Sequence, residues 1–281
     1  MAVRIFTDST SDLPCSLQAQ LHIEIIPLSV CFGQQVFADG VDLTPQAFYQ
    51  KLREAETLPT TSCVPVAAFE AAFQRALQAG DEVLGVFLSS ELSATFQSAV
   101  IAAQNLDSEH IALVDSQNVA LGLALLVYRA IAYRDAGFCA ADIAAKLEGE
   151  KKRVRLYAMI DTLKYLKKGG RLSGTGAAMG TLLSVKPVVS MQQGALHVIH
   201  KARGKKKALA YLLMQLDAHP AQPDAPVCLG NTDCKSEMEA YLPALKAHLP
   251  QDAHVCTLDI GSTVGTHAGP GCVGFAYLER A

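Results

Sequence analysis

The chain contains no tryptophan, and aromatic residues occupy only 6% of its 281 positions. Unpaired bases are held on aromatic platforms. The basic stretches of this chain have only Tyr157, Tyr165 and Tyr211 near them, which weighs against nucleic acid as the partner. Long apolar runs are also missing. The longest, Val119 to Tyr128, is about half of the roughly 20 residues that a spanning helix needs. The opening MAVRIFTDST has no apolar h-region, so no signal peptide is visible. Eight cysteines are scattered at 15, 31, 63, 139, 228, 234, 256 and 272 without one C-x-x-C pair. That pattern indicates reduced thiols in a cytoplasm rather than a disulfide framework.

The common catalytic signatures are absent as well. There is no G-x-x-x-x-G-K-[ST] phosphate loop and no G-x-S-x-G nucleophile elbow. GTGAAMG at 174–180 lacks the spacing and the chain position of a dinucleotide fingerprint. H-E-x-x-H does not occur, and HVIH at 197–200 has no cysteine pair to complete a zinc site.

What the chain does have is apolar content, at 50% of residues with a mean hydropathy of +0.21. Its length suits two cores better than one. Val3–Thr7 reads as a strand, and DSTSDLP after it as a turn rich in capping residues. Helical spacing follows at 45–56 and 65–79, a buried-strand run at 82–88, and a helix in SSELSATFQSAVIAAQ after a serine cap. HIALVD (110–115) is the next strand and 118–136 a long apolar helix. This alternation predicts an open, mainly parallel sheet with flanking helices. Beyond residue 153 the texture changes, with strands at 154–160, 186–191, 195–201, 226–230, 254–259 and 272–278 and helices at 205–218 and 235–248. SMQQGALHV reads as a hairpin turning at Gly194. The expected fold class is therefore α/β in two domains, 1–152 with the parallel sheet and 153–281 with a mixed sheet.

Ligands of open α/β sheets bind beyond the carboxyl ends of the strands. Those ends carry Ser9, Thr10, Ser11, Ser89, Ser90, Ser93 and Ser116, and Thr60, Thr61 and Ser62 form a further group. Each hydroxyl alone reads as a helix cap; together they favour an anion-binding surface. Asp8, Asp12 and Asp115 stand at the same ends, as caps or as ligands of a shared metal. Charge is asymmetric: Lys151 to Lys207 holds 14 Lys and Arg against one acid, Asp161, a net +13. The remainder has 10 basic and 26 acidic residues, a net −16. One basic cluster would be a solvated face, but three (KKRVR, LKKGGR and KARGKKK) favour an anionic partner. In IGSTVGTHAGPGCVG (260–274), His267 sits among five glycines, open to metal ligation, nucleophile activation, anion binding or a role in a turn.

FTDSTSDLP, TTS (60–62), SSELSATFQSA (89–99), VDSQN beginning at Val114, LKYLKKGGRLSG (163–174), LLSVKPVV (182–189) and VGTHAGPG (264–271) occur in that order. With these seven motifs the whole chain resembles the DegV family of bacterial fatty-acid-binding proteins. The resemblance implies a long-chain fatty acid, such as palmitate, stearate or oleate, buried between two α/β domains, with no other cofactor and no metal. It implies a lipid-binding subunit rather than an enzyme. A separate ATP-dependent fatty acid kinase subunit would phosphorylate the carboxylate, and the acyl phosphate would enter phospholipid synthesis.

Carried over motif by motif, Thr61 and Ser93 are the expected hydroxyl donors to the carboxylate and His267 the imidazole beside them. Ser62, Arg171, Arg203 and Thr266 are expected near the head group. Two departures from the family pattern stand out: Cys63 and Val64 precede the proline where one residue is usual, and Ala94 stands where glycine is common. Candidate tunnel walls are Ile160, Leu163, Leu166, Met179, Leu182, Leu183, Val185 and Val188, and each also reads as ordinary core. The basic segment is expected to dock the kinase subunit or to face anionic lipid. The competing reading is a metal-dependent phosphotransferase or hydrolase using Asp8, Asp12 and Asp115.

Overall fold

A computed structural model describes residues 2–173 and 184–281. The first half contains β1 (Val3–Asp8), α1 (Cys15–Leu21), β2 (Ile23–Ile26), β3 (Ser29–Phe32), β4 (Gln35–Ala38), α2 (Pro45–Glu54) and β5 (Thr60–Ser62). It continues with α3 (Val66–Gln78), β6 (Glu82–Phe87), α4 (Thr95–Leu106), β7 (Ile111–Asp115), α5 (Leu121–Asp135) and α6 (Ala140–Glu150). The second half contains β8 (Val154–Met159), α7 (Lys164–Lys168), β9 (Val185–Gln192), β10 (Ala195–Arg203) and α8 (Lys205–Ala218). It ends with β11 (Val227–Thr232), α9 (Lys235–Lys246), β12 (Val255–Asp259), α10 (Ser262–Ala268) and β13 (Cys272–Leu278).

The strands form three sheets. The expected open sheet is present as β2-β1-β6-β7, parallel throughout, and the mixed sheet as β10-β9-β8-β13-β11-β12. Within the mixed sheet β11 and β12 are parallel and the other pairs antiparallel. A small antiparallel sheet, β4-β3-β5, was not evident in the sequence pattern. Its strands have three or four residues, too few for a period-2 pattern to register. Lys151–Arg153 form a 3-10 turn between the last helix over the parallel sheet and the first strand of the mixed one.

Helix α5 explains how the two large sheets are joined. From Leu121 to Val127 all seven residues are buried, so it offers no polar face to water in its first two turns. It packs against β1 and β6 on one side and β8, β11 and β13 on the other. The resulting core runs continuously from Ile5 and Leu84 through Leu123 and Leu126 to Leu156 and Val189. Beyond α5 on each side lies a sheet, and beyond each sheet a second core. Phe69 and Phe73 of α3 pack on Phe6 and Phe87, and Leu212 and Leu245 of α8 and α9 pack in the core that holds Phe275.

Two local readings change. Residues 89–104 are not one helix, because Ser89 to Ala94 form a loop and α4 begins only at Thr95. Serine side chains in that loop bond local backbone instead: Ser93 Oγ accepts from Thr95 N–H at 3.2 Å and Ser89 Oγ from Glu91 N–H at 3.3 Å. The His267 segment, read as a glycine-rich loop, is the seven-residue helix α10. Its internal glycine is a packing requirement, since a Cβ on Gly265 would lie 2.6 Å from the Tyr49 hydroxyl and 2.7 Å from Phe48. The hairpin turn at Gln193–Gly194 has φ of +50° and +82°, the paired positive values of a type I′ turn.

Leu125 is fully buried in the shared core of α5. Leu125→Ala is expected to lower the unfolding free energy by about 2–5 kcal/mol, measured by urea denaturation.

Candidate functional site

Between the two large sheets, where the parallel strands end, the described residues enclose a cavity of about 280 Å³. Its floor is a row across the mixed sheet. Gly230 pairs with Gly274, Gly274 with Ala158, and Ala158 with Val189, and all four line the cavity. Three small residues on adjacent strands leave a trough, because a sheet face otherwise fills with side chains. A Cβ on Gly230 would lie 2.5 Å from Leu121 of α5, and one on Gly274 2.7 Å from the Ala158 methyl. Leu88, Leu92, Leu156, Ile160, Leu166 and Ile260 make much of the remaining wall apolar.

The wall also carries polar residues, among them Thr10, Asn231, Thr232, Thr263 and a group around His267. Thr61 Oγ1 lies 2.9 Å from His267 Nε2, and Ser93 and Arg171 line the same cavity. Each is held by a different element. The alternation of β5 turns Thr61 toward the cavity and leaves Thr60 and Ser62 exposed. Ser93 lies in the loop after β6, its hydroxyl 3.0 Å from that of buried Thr95. Arg171 follows α7, and its guanidinium donates to Leu92 O at 3.1 Å and Gly169 O at 2.5 Å. That ties the arginine to the residue beside Ser93. The sequence offered no signal for the part played by Gly169, where any side chain would strike the His267 ring.

Burial, followed by the positive charge of Arg171, lowers the His267 pKa from 6.5 to about 4. The imidazole is therefore neutral near pH 7, and its Nδ1 is buried without a hydrogen-bond partner among the described residues. A neutral imidazole, two hydroxyls and a guanidinium on a largely apolar wall are the kind of donors that a buried anionic group requires.

Several expected site residues lie elsewhere. Thr266 is buried within α10 and donates its hydroxyl to Ser262 O at 2.8 Å. Ser62 and Arg203 are exposed, Arg203 at the last position of β10. Of the tunnel candidates, Ile160 and Leu166 line the cavity, and Leu163 is buried in the surrounding core. Val188 faces the second core, because strand alternation gives the cavity to its neighbour Val189. Val185 is half-buried at the start of β9, outside the lining, and Met179, Leu182 and Leu183 lie outside the described residues.

The aspartates of the metal reading are occupied. Asp8 accepts from Thr10 N–H at 2.9 Å, the Thr10 hydroxyl at 2.6 Å and Leu88 N–H at 2.8 Å. Asp115 accepts from the Ser90 hydroxyl at 2.6 Å and Gln117 N–H at 2.9 Å. Asp12 accepts from Gly261 N–H at 2.8 Å. Among the described residues no three His, Cys, Asp or Glu side chains are grouped to hold a metal ion. Asp8 and Asp115 cap backbone turns, and Asp12 holds a backbone N–H of a distant segment.

The His267 shift has a pH signature. The unfolded chain takes up this proton near pH 6.5 and the folded chain near 4, so protonation favours unfolding. The stability at stake is complete above pH 6.5 and lost as the pH falls toward 4. Asp8, raised to about 6 chiefly by burial, acts in the opposite sense over much of that range. Both chains keep Asp8, so comparison with His267→Gln isolates the histidine. Wild type is expected to lose about 3 kcal/mol relative to the variant between pH 7 and 4, measured by urea unfolding at each pH.

A family model described as "Uncharacterised protein, DegV family" matches residues 2–280. A DegV domain-containing protein of Deinococcus radiodurans is 36% identical over 280 residues, covering 98% of each chain. A DegV family protein of Thermus thermophilus, whose structure is described as showing fatty acid binding, superimposes with a TM-score of 0.92 at 32% identity over 100% of both chains. A stearic acid-binding protein of Eubacterium ventriosum superimposes with a TM-score of 0.87 at 25% identity, covering 99% of this chain and 98% of its own. With its fold and nearly its whole length matched in this way, the chain belongs to the DegV family.

Proposed function

We propose that this protein binds a long-chain fatty acid in the cavity between its sheets, with the carboxylate at Thr61, Ser93 and His267 and with Arg171 behind them. The observation that carries this reading is an apolar trough ending at a small set of neutral donors and one guanidinium. The fatty-acid-binding relatives support it.

Energetics are consistent with such a ligand. Burying the roughly 14 methylenes of palmitate contributes about 11 kcal/mol gross, before the cost of immobilising the chain. The carboxylate opposes binding unless donors replace its water. Hydroxyls and a neutral imidazole supply those donors without a tight ion pair, which leaves the carboxylate oxygen nucleophilic. In this reading the protein is a carrier, with domains 1–152 and 153–281 closing on the lipid. A separate ATP-dependent kinase subunit phosphorylates the presented carboxylate, and the acyl phosphate enters phospholipid synthesis in the cytoplasm.

The basic segment supplies the docking face in this proposal. Part of its charge is used internally: Lys205 pairs with Glu237 at 2.7 Å, Lys186 with Asp161 at 2.6 Å and Lys151 with Glu148 at 2.7 Å. Lys164, Lys168, Lys201, Arg203, Lys206 and Lys207 remain exposed for an anionic partner, whether kinase subunit or lipid surface.

Solvent extraction of the purified protein and mass spectrometry are expected to yield a fatty acid of sixteen carbons or a similar length. An empty protein that also takes up no added palmitate or oleate would refute the proposal. In delipidated protein, Ser93→Ala is expected to weaken palmitate binding about tenfold, the loss of one hydrogen bond to a charged group. Charge reversal at Lys206 and Lys207 is expected to leave palmitate binding intact and to weaken coupling to a partner kinase or binding to anionic vesicles.

A further inference from the structure

Helix α10 has no capping side chain of its own, because its N-cap is Gly261. Its first N–H groups are nevertheless taken by two carboxylates from distant parts of the chain. Asp39, just after β4, accepts through Oδ1 from Ser262 N–H at 3.1 Å and from the Ser262 hydroxyl. Its Oδ2 accepts from Thr263 N–H at 3.3 Å. Asp12, which closes the 3-10 turn after β1, accepts from Gly261 N–H through Oδ1. A Cβ on Gly261 would lie 3.0 Å from Asp12 Oδ1 and 3.3 Å from Asp39 Oδ1, so both carboxylates converge on one backbone position that glycine leaves open. Tyr49 completes the grip by donating to Ile260 O at 3.1 Å.

The two carboxylates are used differently. Asp39 accepts with both oxygens, from three donors. Asp12 accepts with one, and its Oδ2 is buried without a partner among the described residues. Burial above all, then the charge of Asp39 and to a lesser extent that of Asp8, raises the Asp12 pKa well above its ordinary value. Tyr49 is the remaining ionisable group close by, and its own pKa is raised, mainly by burial. Burial and the neighbouring carboxyl groups thus favour the protonated form of Asp12, which eases the placing of two carboxyl groups in one buried place.

We propose that Asp39 and Asp12 form a clasp that positions His267 for the ligand carboxylate. His267 lies five positions after Ser262, a lever of about 7.5 Å along a helix. A shift at its start therefore reaches the imidazole, which lies 2.9 Å from the Thr61 hydroxyl. The ligand part of this inference rests on the fatty acid reading given above; the placement of His267 does not.

The test uses delipidated full-length protein and two ligands of equal chain length, palmitate and hexadecanol, with a second readout from the NMR titration of the His267 ring. Asp39→Asn turns one accepting oxygen into a donor facing a donor. It is expected to cut the preference for acid over alcohol about fivefold to tenfold, to leave hexadecanol affinity within about twofold, and to move the His267 titration up toward 6.5. Asp12→Asn keeps the accepting oxygen and is expected to preserve both readouts, whereas Asp12→Ala lowers the preference. Ser262→Ala removes a single contact and gives a smaller shift in the same direction, which serves if Asp39→Asn fails to fold. Equal loss of both ligands with an unmoved His267 titration overturns the clasp, as does Asp12→Asn matching Asp39→Asn. A wild type that does not prefer the acid, with the titration shift still seen in Asp39→Asn, refutes the head-group reading and leaves the clasp standing.

Discussion

Helix α5 cannot be solvated along its first two turns, and much of the architecture follows from that. A helix apolar on every side must be covered on every side, and here the covers are the two large sheets. The sheets are held apart by the thickness of a helix wherever α5 lies between them. At its N-terminal end, marked by Val119, Ala120 and Leu121 in the cavity wall, the layer gives way to the cavity. The cavity is the continuation of the α5 layer, with the apolar character of that layer and without its backbone.

Such a space suits any greasy ligand, and in the proposed function its selectivity for a carboxylate rests on few atoms. Burying a carboxylate without donors costs far more than one hydrogen bond returns, so the donors must be in place before the ligand arrives. The fold achieves this by fastening each donor to a different rigid element. The connections cross between the sheets: Arg171 bonds Leu92 O, the Ser89 hydroxyl bonds Gly194 O at 2.7 Å, and Asp12 and Asp39 hold the start of α10. Stability and head-group geometry are therefore coupled, since loosening the contact between the halves moves the donors apart.

Much of the fold was legible because the long elements repeat their pattern many times. Strands such as β6 and β13 and helices such as α8 and α9 lie within a residue or two of where their periodicity placed them. The three-stranded sheet and helix α10 were not legible, because three to seven residues carry too little periodicity and glycine argues against helix. Glycines that mark a loop in isolation mark close packing here, with Gly265 against Tyr49 and Gly261 against two carboxylates. Of the residues carried over from the family pattern, Thr61, Ser93, Arg171 and His267 share one cavity, whereas Thr266, Ser62 and Arg203 do not line it.

The sequence by itself determined the α/β class, the order of the sheets along the chain, the family and the residue types that could meet an anion. These depend on local periodicity and on ordered motifs, both of which survive in one dimension. Only the tertiary structure decided which side chains face the gap: Val189 rather than Val188, Thr61 rather than Ser62, and a floor of glycine and alanine that no hydropathy pattern announces. The raised pKa of Asp12, the hold of Asp39 on the start of α10 and the lowered pKa of His267 belong to the same class. Each depends on burial and on partners dozens to hundreds of residues away, and those distances exist only in the folded chain.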